Sequence, residues 1–241
     1  MDFSKKNIYK NVKKSWKDII KPEFSLEYKN IKEMILSSNE IIFPNYSNIF
    51  ETFKYFDLDE TKVVILGQDC YINYIEEDDE LYPQACGLAF SVHQKHKIPP
   101  SLKNIYIELE ETVKGFKKPN NGDLSRWVTD EKILLLNCAL TVEKGKSNSH
   151  AKQWEKVTDK IIKAISDNTE NIVFILWGNF AKTKAKFIDE TKHKIISGVH
   201  PSPLSARYNL KGSTKSFFGH DYFNKANEYL KDKKGPVNWL L

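Results

Sequence analysis

The chain is 241 residues long, a length that suits one α/β domain with a substantial core. Lys plus Arg outnumber Asp plus Glu by 37 to 32, and the resulting charge of +5 favours a polyanionic partner without requiring one. The three cysteines, Cys70, Cys86 and Cys138, show no CxxC spacing, which argues against a disulfide framework and a zinc site and for a reducing, intracellular compartment.

Residues 1–14, MDFSKKNIYKNVKK, are lysine-rich and aperiodic, lack the apolar segment of a secretory signal, and read as a basic arm ahead of a single domain over 15–241. No later apolar run is long enough for a transmembrane helix, so no membrane association is expected. Trp16, Ile19 and Ile20, then Tyr28, Ile31, Met34 and Ile35, have helical spacing on either side of Pro22, and a further helix is expected from Pro44 to Phe53. Lys62 to Tyr71, KVVILGQDCY, follows as the first strand. Val63 to Leu66 are continuously apolar, as in a strand covered on both faces, and the run stops at Gly67 to deliver Gln68, Asp69 and Tyr71. Ligands of open α/β sheets bind beyond the carboxyl ends of the strands, so Asp69 stands where a base or a metal ligand is wanted, a helix cap or turn being its other reading.

The acids of IEEDDE at 75–80 read as a solvated loop, with a divalent-metal cluster as the alternative. Gly87 to Val92 is a short strand or turn holding Phe90. Pro99, Pro100 and Ser101 then open an amphipathic helix with Leu102, Ile105, Tyr106, Leu109 and Val113 on one face, and the amides at such a start can also grip a phosphate. After a turn at GDLSRW (122–127), KILLLNCALTV at 132–142 is a second buried strand ending on Asn137, whose amide can satisfy backbone or read a donor and acceptor pair on a base. The next helix carries Trp154, Val157, Ile161, Ile162 and Ile165 inward. NIVFILWG (171–178) and KIISGVH (194–200) are the third and fourth strands, with NFAKTKAKFID a lysine-faced helix between them. HPSPLS at 200–205 is a stiff proline loop with Leu204 at its tip, a minor packing residue or an apolar wedge for a base stack.

Buried strands separated by helices imply a three-layer α/β fold around a central four-stranded, twisted parallel sheet with right-handed crossovers. Three strand ends then bring Asp69, Asn137 and His200 to one rim, an acid, an amide and an imidazole in a single cleft. GxGxxG, Walker, GxSxG and HExxH patterns are all missing, which removes dinucleotide, nucleotide-phosphate, serine-hydrolase and zinc-protease chemistry.

Taken in order, GQDCY, GLAFSV, PPSLKNIY, GDLSRW, LLLN, LTV, SH, WE, VFILWG, HPSPLSA and FFG resemble the uracil-DNA glycosylase family of the GQDPYH type (family 1) over roughly residues 15–241. The resemblance implies a cofactor- and metal-independent DNA repair enzyme that flips deoxyuridine out of single- or double-stranded DNA, hydrolyses its N-glycosidic bond and leaves an abasic site. It assigns Asp69 to the water and His200 to uracil O2, neutral when it donates. Asn137 would read O4 and N3, Phe90 stack on the base, Tyr71 exclude the thymine methyl, and Gln68 offer a backbone amide to the base. Pro99, Pro100 and Ser101, Gly178 with Asn179, and Ser202 match phosphate-gripping loops, and Leu204 matches the residue that fills the gap in the duplex. A small acidic protein inhibitor that mimics DNA is a further implied partner, and the protein is expected to be a monomer.

Departures from the pattern carry expectations of their own. GQDCYI stands where the family has GQDPYH, so Cys70 replaces a proline and Ile72 a histidine beside the water-binding acid, and slower but real turnover is expected. Cys86 also stands where the family commonly has a histidine. Asn73 to Pro83 is longer than the pattern and should repel DNA unless its acids point away. Ala206 to Ser216 is also longer, bringing Arg207, Tyr208, Lys211 and Lys215 toward DNA backbone or a neighbouring base, or serving only as surface elaboration. Two other functions stay in view: a catalytically weakened DNA-binding or replication scaffold of the same fold, and a metal-dependent nuclease using the acidic insert. The cysteine usage makes the cytoplasm or nucleus the expected location, and a Lys- and Asn-rich composition that hints at an AT-rich genome adds a viral replication compartment.

Overall fold

A computed structural model describes residues 8–23 and 27–241; the first seven residues of the lysine-rich stretch lie outside them. Within the described part of that stretch, Ile8 and Val12 are buried in the main core. Eight strands follow in chain order among the described residues: β1 (Ile42–Phe43), β2 (Val63–Gly67), β3 (Tyr74–Glu77), β4 (Glu80–Pro83), β5 (Ile133–Asn137), β6 (Val142–Glu143), β7 (Val173–Trp177) and β8 (Lys194–Gly198). The helices are α1 (Lys14–Glu23), α2 (Glu27–Ser37), α3 (Pro100–Thr112), α4 (Ser125–Thr129), α5 (Ala151–Asn168), α6 (Gly178–Lys182), α7 (Pro203–Ala206) and α8 (Tyr222–Leu230).

The central sheet runs β5-β2-β7-β8 and is parallel throughout, as the alternation of apolar runs and helices requires. Every residue of β2, β5 and β7 is buried, because helices cover the sheet and aliphatic side chains leave water on both faces. The outer strand β8 is not fully buried: Lys194 and Ser197 are exposed. Helices α1 and α2 pack against α5, whereas α8 packs against β7, β8 and α3. Register is what matters for function. Gly67 pairs with Asn137 and Trp177 with Gly198, so the chain leaves all four strands at one level.

Three expected elements differ. Residues 44–53 form two short 3-10 turns, Tyr46–Asn48 and Glu51–Phe53, because Asn45, Ser47 and Asn48 offer the backbone turn geometry in place of a helix ladder. The expected lysine-faced helix is only α6, followed by a 3-10 turn over Thr183–Phe187, and its Lys184 is buried with Asp159 at 2.7 Å and Glu155 at 3.1 Å. The acidic insert is an antiparallel hairpin, not a loop, since β3 pairs with β4 and turns through Asp78 and Asp79 at φ 52° and 59°. Positive φ at both central residues is the hairpin-turn geometry that Asp tolerates. Glu77 at its tip pairs with Lys95 at 2.5 Å, and no three His, Cys, Asp or Glu among the described residues group to hold a metal. No helix among them is long and apolar enough to cross a membrane.

Candidate active site

Asp69 leaves β2 two residues after Gly67 and is held by three donors. The Cys70 amide meets Oδ1 at 2.9 Å; the Asn148 amide meets Oδ2 at 2.5 Å and the Ser147 hydroxyl at 3.4 Å. Burial pushes its carboxyl above the usual aspartate value, and these three bonds and the nearby His150 pull against that rise. The loop supplying them is itself anchored. Gln68 Nε2 donates to Asn148 Oδ1 at 3.0 Å, and His150, buried at the start of α5, shares a 2.9 Å bond with Thr141. Sequence reasoning missed Ser147, Asn148 and His150 as parts of the site, although the SH pair at 149–150 marks the loop.

Asn137 closes β5 and is 8 % exposed, its side chain lying against Gly67. A Cβ on Gly67 would stand 2.1 Å from Asn137 Oδ1, so only glycine lets the two strand ends approach. Phe90 sits at φ 65°, a conformation that an aromatic residue adopts only where its surroundings impose it. Its ring is edge-on to Trp177 at 5.7 Å and 6.2 Å from the His200 ring. The Tyr71 hydroxyl donates to the Phe90 carbonyl at 3.4 Å, which ties the segment after β2 to Phe90.

His200 follows β8 by two residues. Its Nδ1 accepts the Ser202 amide at 3.0 Å, and burial lowers the imidazole below its ordinary value. With Nδ1 occupied as an acceptor, the neutral ring carries its proton on Nε2, which is free to donate. A Cβ on Gly178, at φ +87°, would lie 2.9 Å from His200 Cβ, so this glycine too is set by a neighbouring site residue.

The residues expected to grip phosphate lie next to this rim. Pro99 caps α3 and Pro100 begins it; Asn104 of the same helix donates to the Pro201 carbonyl at 2.7 Å, joining the proline loop to the His200–Ser202 segment. Gly178 and the exposed Asn179 open α6, and Ser202 precedes α7. Leu204, on α7, is 93 % exposed. The loop beyond it is held from α3: Tyr208 Oη donates to Glu111 at 2.8 Å, and Lys211 pairs with the same carboxylate at 2.5 Å. Buried Glu108 accepts the amides of Gly219, His220 and Asp221 at 2.7, 3.1 and 2.9 Å. Lys211 is therefore engaged within the protein, while Arg207 and Lys215 are exposed and in no described ion pair. A groove of about 660 Å³ beside α2 and the hairpin tip contains none of these residues.

Residues 53–231 match the family model of the uracil DNA glycosylase superfamily. The chain belongs to that superfamily. Uracil-DNA glycosylases of Francisella tularensis subsp. tularensis and Francisella philomiragia are 44% and 46% identical over 233 residues, covering 94% of this chain and 99% and 100% of theirs. Among solved structures, a mimivirus UNG variant in complex with UGI matches with TM-score 0.87 and 31% identity, covering 98% of this chain and 92% of its own. The mimivirus uracil-DNA glycosylase matches at TM-score 0.78 and 28% identity, over 98% of this chain and 100% of its own. The likeness to these structures spans the parallel sheet described above.

Proposed function

We propose that this member of the superfamily is a monofunctional uracil-DNA glycosylase of DNA repair, acting through Asp69, Asn137, Phe90, Tyr71 and His200. The observation that carries the assignment is the convergence of a braced carboxylate, a buried carboxamide, an aromatic face and an Nε2–H donor at the carboxyl ends of the strands. A base edge-on to Asn137 and flat on Phe90 would place its O2 toward His200. Tyr71 closes the side where a thymine methyl would project.

The C1′–N1 bond breaks with its electron pair leaving on the uracil ring, so positive charge grows on the sugar and negative charge on O2. The ionised Asp69 stabilises the first and His200 Nε2–H the second, both more in the transition state than in the ground state. A water oxygen forms the new bond to C1′, and its proton passes by way of Asp69 and solvent to uracil. Only an extruded nucleotide fits such a cleft; flipping costs a few kcal/mol, which phosphate contacts at Pro99–Ser101, Gly178–Asn179 and Ser202 and a Leu204 wedge would offset. An acidic, DNA-mimicking inhibitor would use the same anion-directed rim.

Oligonucleotides carrying a single uracil, thymine or cytosine, single- and double-stranded, test the assignment. Free uracil alone should be released, from both forms. DNA binding without release of any base would favour the scaffold reading.

A further inference from the structure

Cys70 touches both halves of the site, and the atoms it touches fix how Asn137 faces a base. Its Sγ lies 3.3 Å from the Ala139 carbonyl and 3.7 Å from Asn137 Nδ2. A thiol has one proton, and a carbonyl can only accept, so that proton is committed to Ala139. Sulfur then meets Asn137 as an acceptor, which only the NH₂ end of the carboxamide can satisfy. Burial raises the Cys70 thiol well above its ordinary value, so the proton stays on the sulfur at neutral pH. The amide is keyed one way, with Oδ1 at the Gly67 side.

That orientation carries chemical information. Uracil offers a donor at N3 and an acceptor at O4, whereas cytosine offers an acceptor at N3 and an amino donor at position 4. A carboxamide turned by 180° would suit the wrong base. The backbone of the same residue serves the acid, since the Cys70 N–H donates to Asp69 Oδ1 at 2.9 Å, a bond no proline at this position could make.

We propose that Cys70 is a positioning residue for base selectivity: its thiol holds the Asn137 carboxamide in the uracil-reading orientation, and its N–H holds the Asp69 carboxylate. The inference rests on the glycosylase reading above and extends it to a residue that touches no substrate.

The test is calorimetric titration of free uracil and free cytosine into the parent, Cys70→Ala and Cys70→Ser. Losing one modest hydrogen bond should weaken uracil binding roughly three- to tenfold in Cys70→Ala, with cytosine weakened less, so that the ratio between them narrows. Serine, which can donate to Ala139 and accept from Asn137, should restore most of that ratio. A merely structural role would weaken both bases alike, and an unchanged ratio in Cys70→Ala overturns the thiol's part. In Cys70→Pro the Asp69 carboxyl, followed by ¹³C NMR, should titrate at higher pH than in the parent; an unchanged titration overturns the amide's part. Should the parent neither bind nor release uracil, the glycosylase reading falls by itself. The orientation is then read from NMR contacts between the Asn137 NH₂ and Cys70 Hβ protons, whose absence refutes it and whose presence sustains it.

Discussion

Asn137 closes a strand whose five residues are all buried and is itself 8 % exposed, whereas Leu204 stands on a four-residue helix and is 93 % exposed. The rim residues are fixed by the core behind them: Gly67 admits Asn137, Gly178 admits His200, and the Asn148 amide and Ser147 hydroxyl brace Asp69. The leucine loop has no such backing. It is tethered at three points from α3, by Asn104 at Pro201, by Glu108 at its far base and by Glu111 at Tyr208 and Lys211, and its apolar end is left in solvent. The difference separates two tasks. Breaking a glycosidic bond needs groups held in place before the substrate arrives, while entering a base stack needs reach and an unsatisfied apolar surface. Lesions in the rim should therefore act on single and double strands alike, and lesions in the loop on double strands alone.

The largest effect is expected from Gly67→Ala, whose new Cβ must displace Asn137 Oδ1 from 2.1 Å. Single-turnover uracil release should fall by about a hundredfold or more on both substrates, the scale of a misplaced contact group. A loss confined to double strands would show that Gly67 serves the duplex and not the pocket. Leu204→Ala comes next, with a roughly tenfold loss on double strands, little change on single strands and an unchanged Tm, since the side chain is exposed. An equal loss on both substrates would place Leu204 in the pocket instead.

Alanine at Arg207, Lys211 and Lys215 together should flatten the salt dependence of duplex binding by about two units of slope. Arg207 and Lys215 should account for most of it, because Lys211 is already paired with Glu111. Unchanged slope would make the insert a surface elaboration. The smallest effect is a shift in pH profile. Burial raises the Asp69 carboxyl, and the acid must be ionised to act, so kcat/KM should begin to fall at higher pH than for an ordinary aspartate as acid is added. His200, lowered by burial, is already neutral at pH 7 and adds no loss above it. Both DNA forms should share that limb.

The rim was legible because β2, β5 and β7 are continuous apolar runs, with Asp69 just past the end of β2 and Asn137 closing β5, and parallel strands in one sheet must end together. The hairpin over 74–83 was not, because five consecutive acids carry no alternating pattern, and its turn depends on two aspartates at positive φ. Asn148 was also hidden: it lies 79 positions from Asp69, and only the folded chain brings its amide to the carboxylate. Gly67 and Gly178 read as strand ends in sequence, while their function as clearance for Asn137 and His200 emerges from packing.

Asp69, braced at the end of β2, is expected to drive uracil release without a metal. The direct measurement is single-turnover release from a single-uracil oligonucleotide in EDTA, comparing the parent with Asp69→Asn. Release by the parent and a loss of at least about a hundredfold in the variant are expected, with binding to uracil-containing DNA retained. Equal rates, or release abolished by EDTA, would contradict it.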